Sequence, residues 1–462
     1  MKSLPLSVLA RILGSAPTEG FDTSVAGVST DTRTIKNGDC FFAIAGENFD
    51  GHDYVHQAFG KGAACAVVER SVEGLGPSDE PVLRVPDTIK ALGDLAREYR
   101  RMNAFKVVAI TGSVGKTTTR QIIHHVLGRH FRVHQAQKSF NNNIGLPLTL
   151  LGAEPQTEII VTELGANHPG EIAYLTRIAQ PDIALVTNAH PAHLEGFGDL
   201  ATIIREKLSI AEGLSDAGVL VINGDIEPLV AACRSRRRPF LTFGKSAGVD
   251  YRAERITCEA LDSTFAIDGT QIRLPLPSPG NVENALAAWA VCDQFGLTVD
   301  AFAKAVESLS GVSMRAETLQ IGGLTVLNDC YNANPASMKN ALAMLHNLRA
   351  GCEANRRRRL VFICGEMAEL GRQTQALHAE LGRAVAEAGV DLLVTAGTPP
   401  QTTARAAKET ARHNLQTMSF DDAVSVCNHM QEFIREDDIV LVKGSRTARL
   451  ERVVEELIKD YG

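Results

Sequence analysis

Residues 107–119 read Val107-Val-Ala-Ile-Thr-Gly-Ser-Val-Gly-Lys-Thr-Thr-Thr119. An apolar, β-branched run stops at Thr111-Gly112, turns through Ser113-Val114-Gly115, and continues from Lys116 into a periodic segment ending near Gly128. Strand, phosphate loop and helix follow one another. Small residues bare successive backbone N–H groups toward an anion at a helix N-terminus, where the macrodipole also favours negative charge. Gly112, Ser113, Gly115, Lys116, Thr117 and Thr118 are therefore candidate contacts of a nucleoside triphosphate, with Lys116 on the β and γ phosphates and the Thr117 hydroxyl on Mg2+. The usual G-x-x-x-x-G-K-[ST] pattern has a glycine where this chain has Ile110, so the loop is a shorter T-G-x-x-G-K-T variant.

Outward from the loop, strands and helices alternate: Glu158–Glu163, a helix near Gly170–Ala179, Ile183–Thr187, a helix over Leu200–Leu214, and Val219–Ile222. Strands without period-2 alternation, spaced by helices, predict a doubly wound parallel sheet with ligands at its carboxyl edge. Tyr251–Leu276 has the alternation of antiparallel strands, and Pro275, Pro277 and Pro279 close it before a helix over Val282–Phe295. From Met314 a second alternation (Leu324–Leu327, Leu360–Cys364, Leu392–Ala396, Ile439–Val442) predicts a Rossmann-like sheet without a G-x-G-x-x-G fingerprint. Upstream, short apolar runs at Cys40–Ile44, Ala64–Val68 and Val82–Val85 with a helix over Ile89–Arg101 predict a small α/β domain. The expected class is α/β in three domains, 1–103, 104–313 and 314–462, with the phosphate-loop sheet in the centre.

Composition narrows the function. The 462 residues are long enough for about three domains, and 22% charged with 44% hydrophobic residues is a globular balance. A formal net charge of −7 argues against a nucleic-acid partner. The nine cysteines are scattered singly, which predicts neither a zinc nor a disulfide framework and points to a reduced, cytoplasmic compartment. MKSLPLSVLARILG is broken by Arg11 and reads as a short amphipathic helix rather than a signal peptide, and no apolar run approaches the ~20 residues of a membrane span. The basic runs Arg234–Arg238 and Arg356–Arg359 read as solvated loops.

Several residues are placed for chemistry. Mg2+ beside a triphosphate needs a carboxylate on a neighbouring strand end, and Glu163 terminates the apolar run IIVTE. His193, in the segment Asn188–Gly198 after the next strand, faces the presumed triphosphate and is a metal or substrate candidate; His124, His125, His130 and His134 read as solvated. Asp329, Asn332 and Asn334 follow a strand and would point between the sheets, although Asn-Pro is also a helix-start signal. Lys443 and Arg446 flank Gly444-Ser445 at another strand end, where cations bind phosphate charge and stabilise it in transfer. Lys207 reads, on burial statistics alone, as a surface lysine. Ser29–Arg33 and Gly46–His52 are polar stretches that turn chemistry satisfies by itself.

Taken together, STDTR, GENFDGH, TGSVGKTTT, FNNNIGLPLTLL, ELGANHPGEIAYLT, AHLEGFG, DCYNANPASM, GEMAELG and KGSR span essentially the whole chain and resemble the Mur ligases of peptidoglycan synthesis. ELGANH and YNANP resemble the branch that joins D-Ala-D-Ala to UDP-MurNAc-tripeptide. The resemblance implies an ATP-dependent amide ligase working through an acyl phosphate, monomeric, with an N-terminal UDP-sugar domain and a C-terminal domain that closes over the nucleotide. It implies catalytic roles for Lys116, Lys207, His193 and Arg315, and two Mg2+ ions held by Thr117, Glu163, His193 and a carbamylated Lys207. Asn142, Asn281, Asn284, Arg315, Asp329 and Asn332 correspond to nucleotide contacts. Ser29, Asp31, Arg33, Gly46, Asn48, Phe49, Asp50 and His52 correspond to uridine-sugar contacts, and Tyr331, Asn334, Lys443, Ser445 and Arg446 to contacts with the rest of the substrate.

Overall fold

The phosphate-loop strand, Lys106–Thr111, lies inside a seven-stranded, all-parallel sheet of a computed structural model that describes residues 1–15, 22–75, 80–137, 139–311, 313–350 and 357–462. Its spatial order is Tyr251–Arg252, Leu241–Gly244, Val219–Asn223, Ile183–Val186, Lys106–Thr111, Ile159–Glu163 and Val133–Gln135. The chain leaves the phosphate-loop strand for the outer strand on one side, returns through Ile159–Glu163, then continues on the other side through Ile183–Val186. That reversal is the switch point at which doubly wound sheets open a crevice. In register, Ile110 pairs with Glu163 and Thr111 with Val186, so the loop, the carboxylate and the next strand's end emerge side by side.

The two faces of this sheet are both covered, as a parallel sheet requires. Val108 and Ile110 pack with Ile122, Ile123 and Val126 of the helix Lys116–Leu127 and with the helix Pro279–Asp293. Val107 and Ala109 pack on the other face with Leu92, Leu95 and Tyr99 of the helix Thr88–Met102, so the N-terminal domain shares a core with the central one. Ile110 is fully buried, which explains the short loop: its position belongs to the strand core and not to the phosphate cradle.

The N-terminal domain is a four-stranded parallel sheet, Gly27–Ser29, Asp39–Phe42, Cys65–Val68 and Val82–Arg84, beside a two-stranded antiparallel ribbon. The helix Leu6–Leu13 buries Leu6, Leu9 and Ala10, as its amphipathic pattern predicts. The C-terminal domain is a six-stranded sheet in the order Glu317–Ile321, Leu324–Asn328, Ile439–Lys443, Leu360–Cys364, Leu392–Ala396 and Gln416–Phe420. Only its first strand runs antiparallel. The three-domain α/β expectation holds.

Local expectations are corrected in four places. Tyr251–Arg252 pairs parallel with Leu241–Gly244 as the sheet edge, and the antiparallel set is Glu254–Cys258, Ser263–Ile267 and Thr270–Leu274. The helix from Leu200 ends at Leu208 and tightens into a 3-10 turn over Ser209–Gly213, where the Ser209 hydroxyl donates back to the Glu206 carbonyl at 2.7 Å. Half-exposed strands such as Val133–Gln135 and Gln416–Phe420 lack an apolar run and escape the pattern. The basic runs are staples: Arg236 donates to the Leu208 carbonyl (2.8 Å) and Arg359 pairs with Asp438 (2.6 Å), while Arg356 lies outside the described residues.

Candidate active site

At the switch point the loop residues surround a cavity of about 980 Å3, lined by the phosphate loop, by the end of Ile159–Glu163, by the start of Pro279–Asp293, and by C-terminal residues. Two glycines make the loop possible. Gly115 has φ +84°, and a Cβ there would stand 2.1 Å from Asn284 Oδ1; at Gly112, φ +148°, it would stand 2.0 Å from Thr187 Oγ1. The loop is fastened to the neighbouring strand end: Val114 N–H donates to Asn188 Oδ1 (2.9 Å), Asn188 Nδ2 to the Val114 carbonyl (3.0 Å), and Ser113 Oγ to the His190 carbonyl (2.8 Å). Asn188 and Thr187 were not singled out from sequence, because an Asn after a strand looks like turn chemistry.

Charge is concentrated here. Lys116 opens the loop helix and donates to the Gly112 carbonyl at 2.6 Å. Desolvation pushes its ammonium down to about 8, with Glu163 opposing and Arg315 adding to the shift. Glu163 is buried; its Oε2 accepts from Thr117 Oγ1 at 3.1 Å, and its Oε1 lies 3.3 Å from Arg120 Nε without accepting a hydrogen bond. Arg120, on the loop helix, escaped the sequence reading because helical spacing makes it look like an ordinary face residue. Asn284 accepts from Thr119 Oγ1 (3.3 Å) and donates to Asn281 Oδ1 (3.2 Å), and Asn142 caps the helix Gly145–Leu151 through the Gly145 N–H (2.9 Å).

Lys207 corrects the surface reading: it is 2% exposed. Its ammonium stands 5.6 Å above the Phe197 ring, and desolvation, with Lys116 adding, pushes it down to about 7. It is not among the residues lining the cavity; its chain neighbour Glu206 accepts from the Gly170 and Ile172 N–H groups (2.7 Å each) and so holds the start of the helix Glu171–Ala179. His193 lines the cavity in a left-handed conformation, φ +51°, with Nδ1 engaged by Glu369 of the C-terminal domain. The Glu195 N–H donates to the Glu369 carbonyl at 3.1 Å, so the same residue binds the segment twice. His124 and His134, expected to be solvated, are half-buried, and desolvation lowers both imidazoles.

The C-terminal candidates reach the cavity but differ in freedom. Lys443 is 1% exposed and donates to Asp329 Oδ2 (2.6 Å) and the Asn332 carbonyl (2.9 Å), so its charge is matched inside the protein. Asp329 Oδ1 accepts from the Ala316 N–H at 3.1 Å. Asn334 Oδ1 caps the helix Pro335–Ala350 through the Ser337 N–H (2.9 Å), Asn332 Oδ1 accepts from Ala333 N–H (2.9 Å), and Ser445 Oγ lies 2.8 Å from Thr447 Oγ1. Arg315 and Arg446 present their guanidiniums to the Tyr331 ring, at 4.1 and 5.9 Å from its centroid.

The N-terminal candidates form a separate group at the carboxyl edge of their own sheet and do not line this cavity. Ser29 Oγ donates to the Asp31 carbonyl (2.9 Å), and the Arg33 guanidinium beside Asp31 holds that carboxyl down at about 2. Asp50 is likewise held at about 2, first by the His52 N–H and then by His52 and Arg70 side chains. Arg70, 2.6 Å from Asp50, completes the group and had no motif to betray it. Phe49 projects into solvent, 73% exposed, beside Gly46 and Asn48 of the same loop. His52 is corrected: Nε2 accepts from the Glu69 N–H (2.9 Å) and Nδ1 faces Asp50 (2.6 Å), which turns the ring inward as a support of the loop.

This arrangement agrees with what the chain is similar to. Residues 110–292 match a family model described as the Mur ligase middle domain, 314–446 one described as Mur ligase, glutamate ligase domain, and 24–100 one described as Mur ligase family, catalytic domain. The chain is 36% identical over 448 residues to UDP-N-acetylmuramoyl-tripeptide–D-alanyl-D-alanine ligase of Bacillus subtilis (strain 168), covering 95% of this chain and 94% of that one. It superposes on a crystal structure of MurF from Acinetobacter baumannii with a TM-score of 0.87 and 30% identity, covering all of both chains. Against the crystal structure of MurF ligase from Thermotoga maritima in complex with ADP the TM-score is 0.81 at 28% identity, covering 94% of this chain and 97% of that one. With a phosphate loop at the switch point, a buried carboxylate beside it and a C-terminal sheet closing the cavity, the chain belongs to the Mur ligase family.

Proposed function

We propose that this chain is an ATP-dependent amide ligase that joins D-Ala-D-Ala to UDP-MurNAc-tripeptide through an acyl phosphate, a step of peptidoglycan precursor synthesis. The observation that carries it is one cavity in which Lys116 and Glu163 of the central sheet face Arg315 and Arg446 across the domain boundary. A carboxylate and an amine do not condense readily in water, so the carboxylate oxygen must first take the γ-phosphoryl group, with ADP leaving. The dipeptide amine then attacks the acyl carbon, and the tetrahedral adduct collapses to the amide and inorganic phosphate. Lys116 neutralises the phosphates, Arg315 and Arg446 offset charge as it passes to the leaving groups, and enclosure between domains keeps water from the acyl phosphate.

Mg2+ would be held by Thr117 and by Glu163, whose buried Oε1 accepts no hydrogen bond, and would supply neutralisation of the β and γ phosphates. A second ion suits His193, whose Nδ1 is fixed by Glu369, together with Lys207. Burial that lowers the lysine to about 7 raises its neutral-amine fraction near physiological pH, the form that adds CO2 to give a carbamate and release a proton, and a carbamate supplies anionic oxygens. Asn142, Asn281 and Asn284 frame the nucleotide, and Asp31, Arg33, Asn48, Phe49, Asp50 and Arg70 the UDP-sugar. The domain limits 1–103, 104–313 and 314–462 are supported by the family-model segments 24–100, 110–292 and 314–446. The reading is of a monomer acting in the cytoplasm; among the described residues no helix is long and apolar enough to cross a membrane.

The test is isotopic. With 18O in the tripeptide carboxylate, the released phosphate carries one 18O per turnover; phosphate free of label would rule out the acyl phosphate.

A further inference from the structure

We propose that Tyr331 is a positioning residue that sets Arg315 and Arg446 against the nucleotide's phosphates, and that its hydroxyl makes this placement depend on the approach of the central and C-terminal domains. The inference rests on the nucleotide-binding reading of the main cavity.

Four observations converge on this side chain. Its ring carries Arg315 at 4.1 Å and Arg446 at 5.9 Å. Its hydroxyl is bonded to Ser139 Oγ in the central domain's segment before Asn141–Asn143. Its backbone N–H donates to the Met314 carbonyl at 3.2 Å, next to Arg315 in the chain. Met314 and Ala316 both take left-handed backbone, φ +58° and +55°, a conformation that costs non-glycine residues free energy and persists only where the surroundings impose it. Tyr331 imposes it from one side, and Asp329, through the Ala316 N–H, from the other.

The electrostatics say why such a support is needed. Arg315 lies close enough to Lys116 and Arg120 to act on both, and Glu163 faces the same cations. Among the described residues, the carboxylate paired with Arg446 is Glu451, at 3.8 Å. Without an anion in the cavity, mutual repulsion drives these groups apart. An aromatic face attracts guanidinium without neutralising it, so the ring holds both arginines in place while their charge remains available to phosphate. Because Ser139 belongs to the other domain, the hydroxyl docks only when the two sheets come together, and the arginines are oriented at the same moment.

The experiment titrates β,γ-methylene-ATP with Mg2+ into the full chain by calorimetry and measures kcat and KM for ATP in phosphate release. Tyr331→Leu, which loses ring and hydroxyl, is expected to weaken the analogue on the order of tenfold. Tyr331→Phe keeps the ring; it and Ser139→Ala are expected to hold analogue affinity within about twofold while kcat falls. In an Arg315→Ala background the penalty of Tyr331→Leu should shrink, since one acts through the other. Full analogue affinity in Tyr331→Leu, or penalties that simply add, would overturn the proposal while leaving the ligase reading intact. A wild-type chain that binds no nucleotide would overturn both. If Tyr331→Leu fails to fold, Tyr331→Phe and Ser139→Ala decide: unchanged kcat in both refutes the coupling.

Discussion

Lys207 offers the sharpest quantitative consequence. The residue is 2% exposed, its ammonium lies over the Phe197 ring, and burial, with Lys116 adding and Glu206 and Glu171 opposing, pushes it from an ordinary 10.5 down to about 7. A depression of that size corresponds to about 5 kcal/mol of penalty on the charged form, and relaxation with water entry reduces the realised cost to roughly 2–4 kcal/mol. The sign follows from proton counting. Between about 7 and 10.5 the unfolded chain holds the proton that the folded chain has released, so this group's contribution makes stability rise with pH over that window. Below about 7 both states are protonated and the penalty is fully present; above 10.5 it is absent. Lys207→Met, which keeps the volume and removes the charge, should therefore stabilise the central domain by roughly 2–4 kcal/mol at pH 6, with the gain vanishing toward pH 10. The assay is paired thermal and urea denaturation of wild type and variant at both pH values in CO2-free buffer, without nucleotide. A variant that is less stable than wild type at pH 6, or a difference that does not change with pH, would refute the desolvation argument. Ligase activity should be lost in the same variant, and Lys207→Ala should recover part of it with added short-chain carboxylate.

Other consequences are equally direct. Gly115→Ala forces a Cβ to 2.1 Å from Asn284 Oδ1 at φ +84°, so the ATP KM should rise about tenfold or more, measured by steady-state kinetics, with partial relief when Asn284 is also shortened. Asp329→Ala strands the buried Lys443 ammonium and should destabilise the C-terminal domain by about 3–5 kcal/mol in denaturant titration, whereas Asp329→Ala with Lys443→Met should recover most of the loss. Ile110→Gly, which restores the longer phosphate-loop pattern, should cost at least 2–5 kcal/mol of stability, roughly the cost of emptying a buried isoleucine site, because Ile110 is fully buried in the strand; improved nucleotide affinity with no loss of stability would contradict that placement.

The fold was readable because its strands are short, apolar and separated by amphipathic helices; Lys106–Thr111, Ile159–Glu163 and Ile183–Val186 declared themselves through burial on both faces. Val133–Gln135 and Gln416–Phe420 did not, since edge strands need no apolar run. In the site, Lys116, Thr117 and Glu163 were legible because their spacing is local and their chemistry demands it. Lys207 was legible only by resemblance: helical spacing says nothing of depth, and its burial, with the Phe197 ring under its ammonium, comes from tertiary packing. Arg70, Arg120 and Asn188 carry no motif; they matter through contacts closed by tertiary packing. His52 and Lys443 show the opposite case, polar residues at site-like positions whose hydrogen bonds are spent inside the protein.

In the proposed reaction the cavity between the phosphate loop and the C-terminal sheet couples ATP cleavage to amide formation with a dipeptide acceptor. Phosphate release from ATP, measured with UDP-MurNAc-tripeptide and with or without D-Ala-D-Ala, tests it most directly. Sustained release is expected only when tripeptide and dipeptide are both present; sustained release that ignores the dipeptide would refute that coupling.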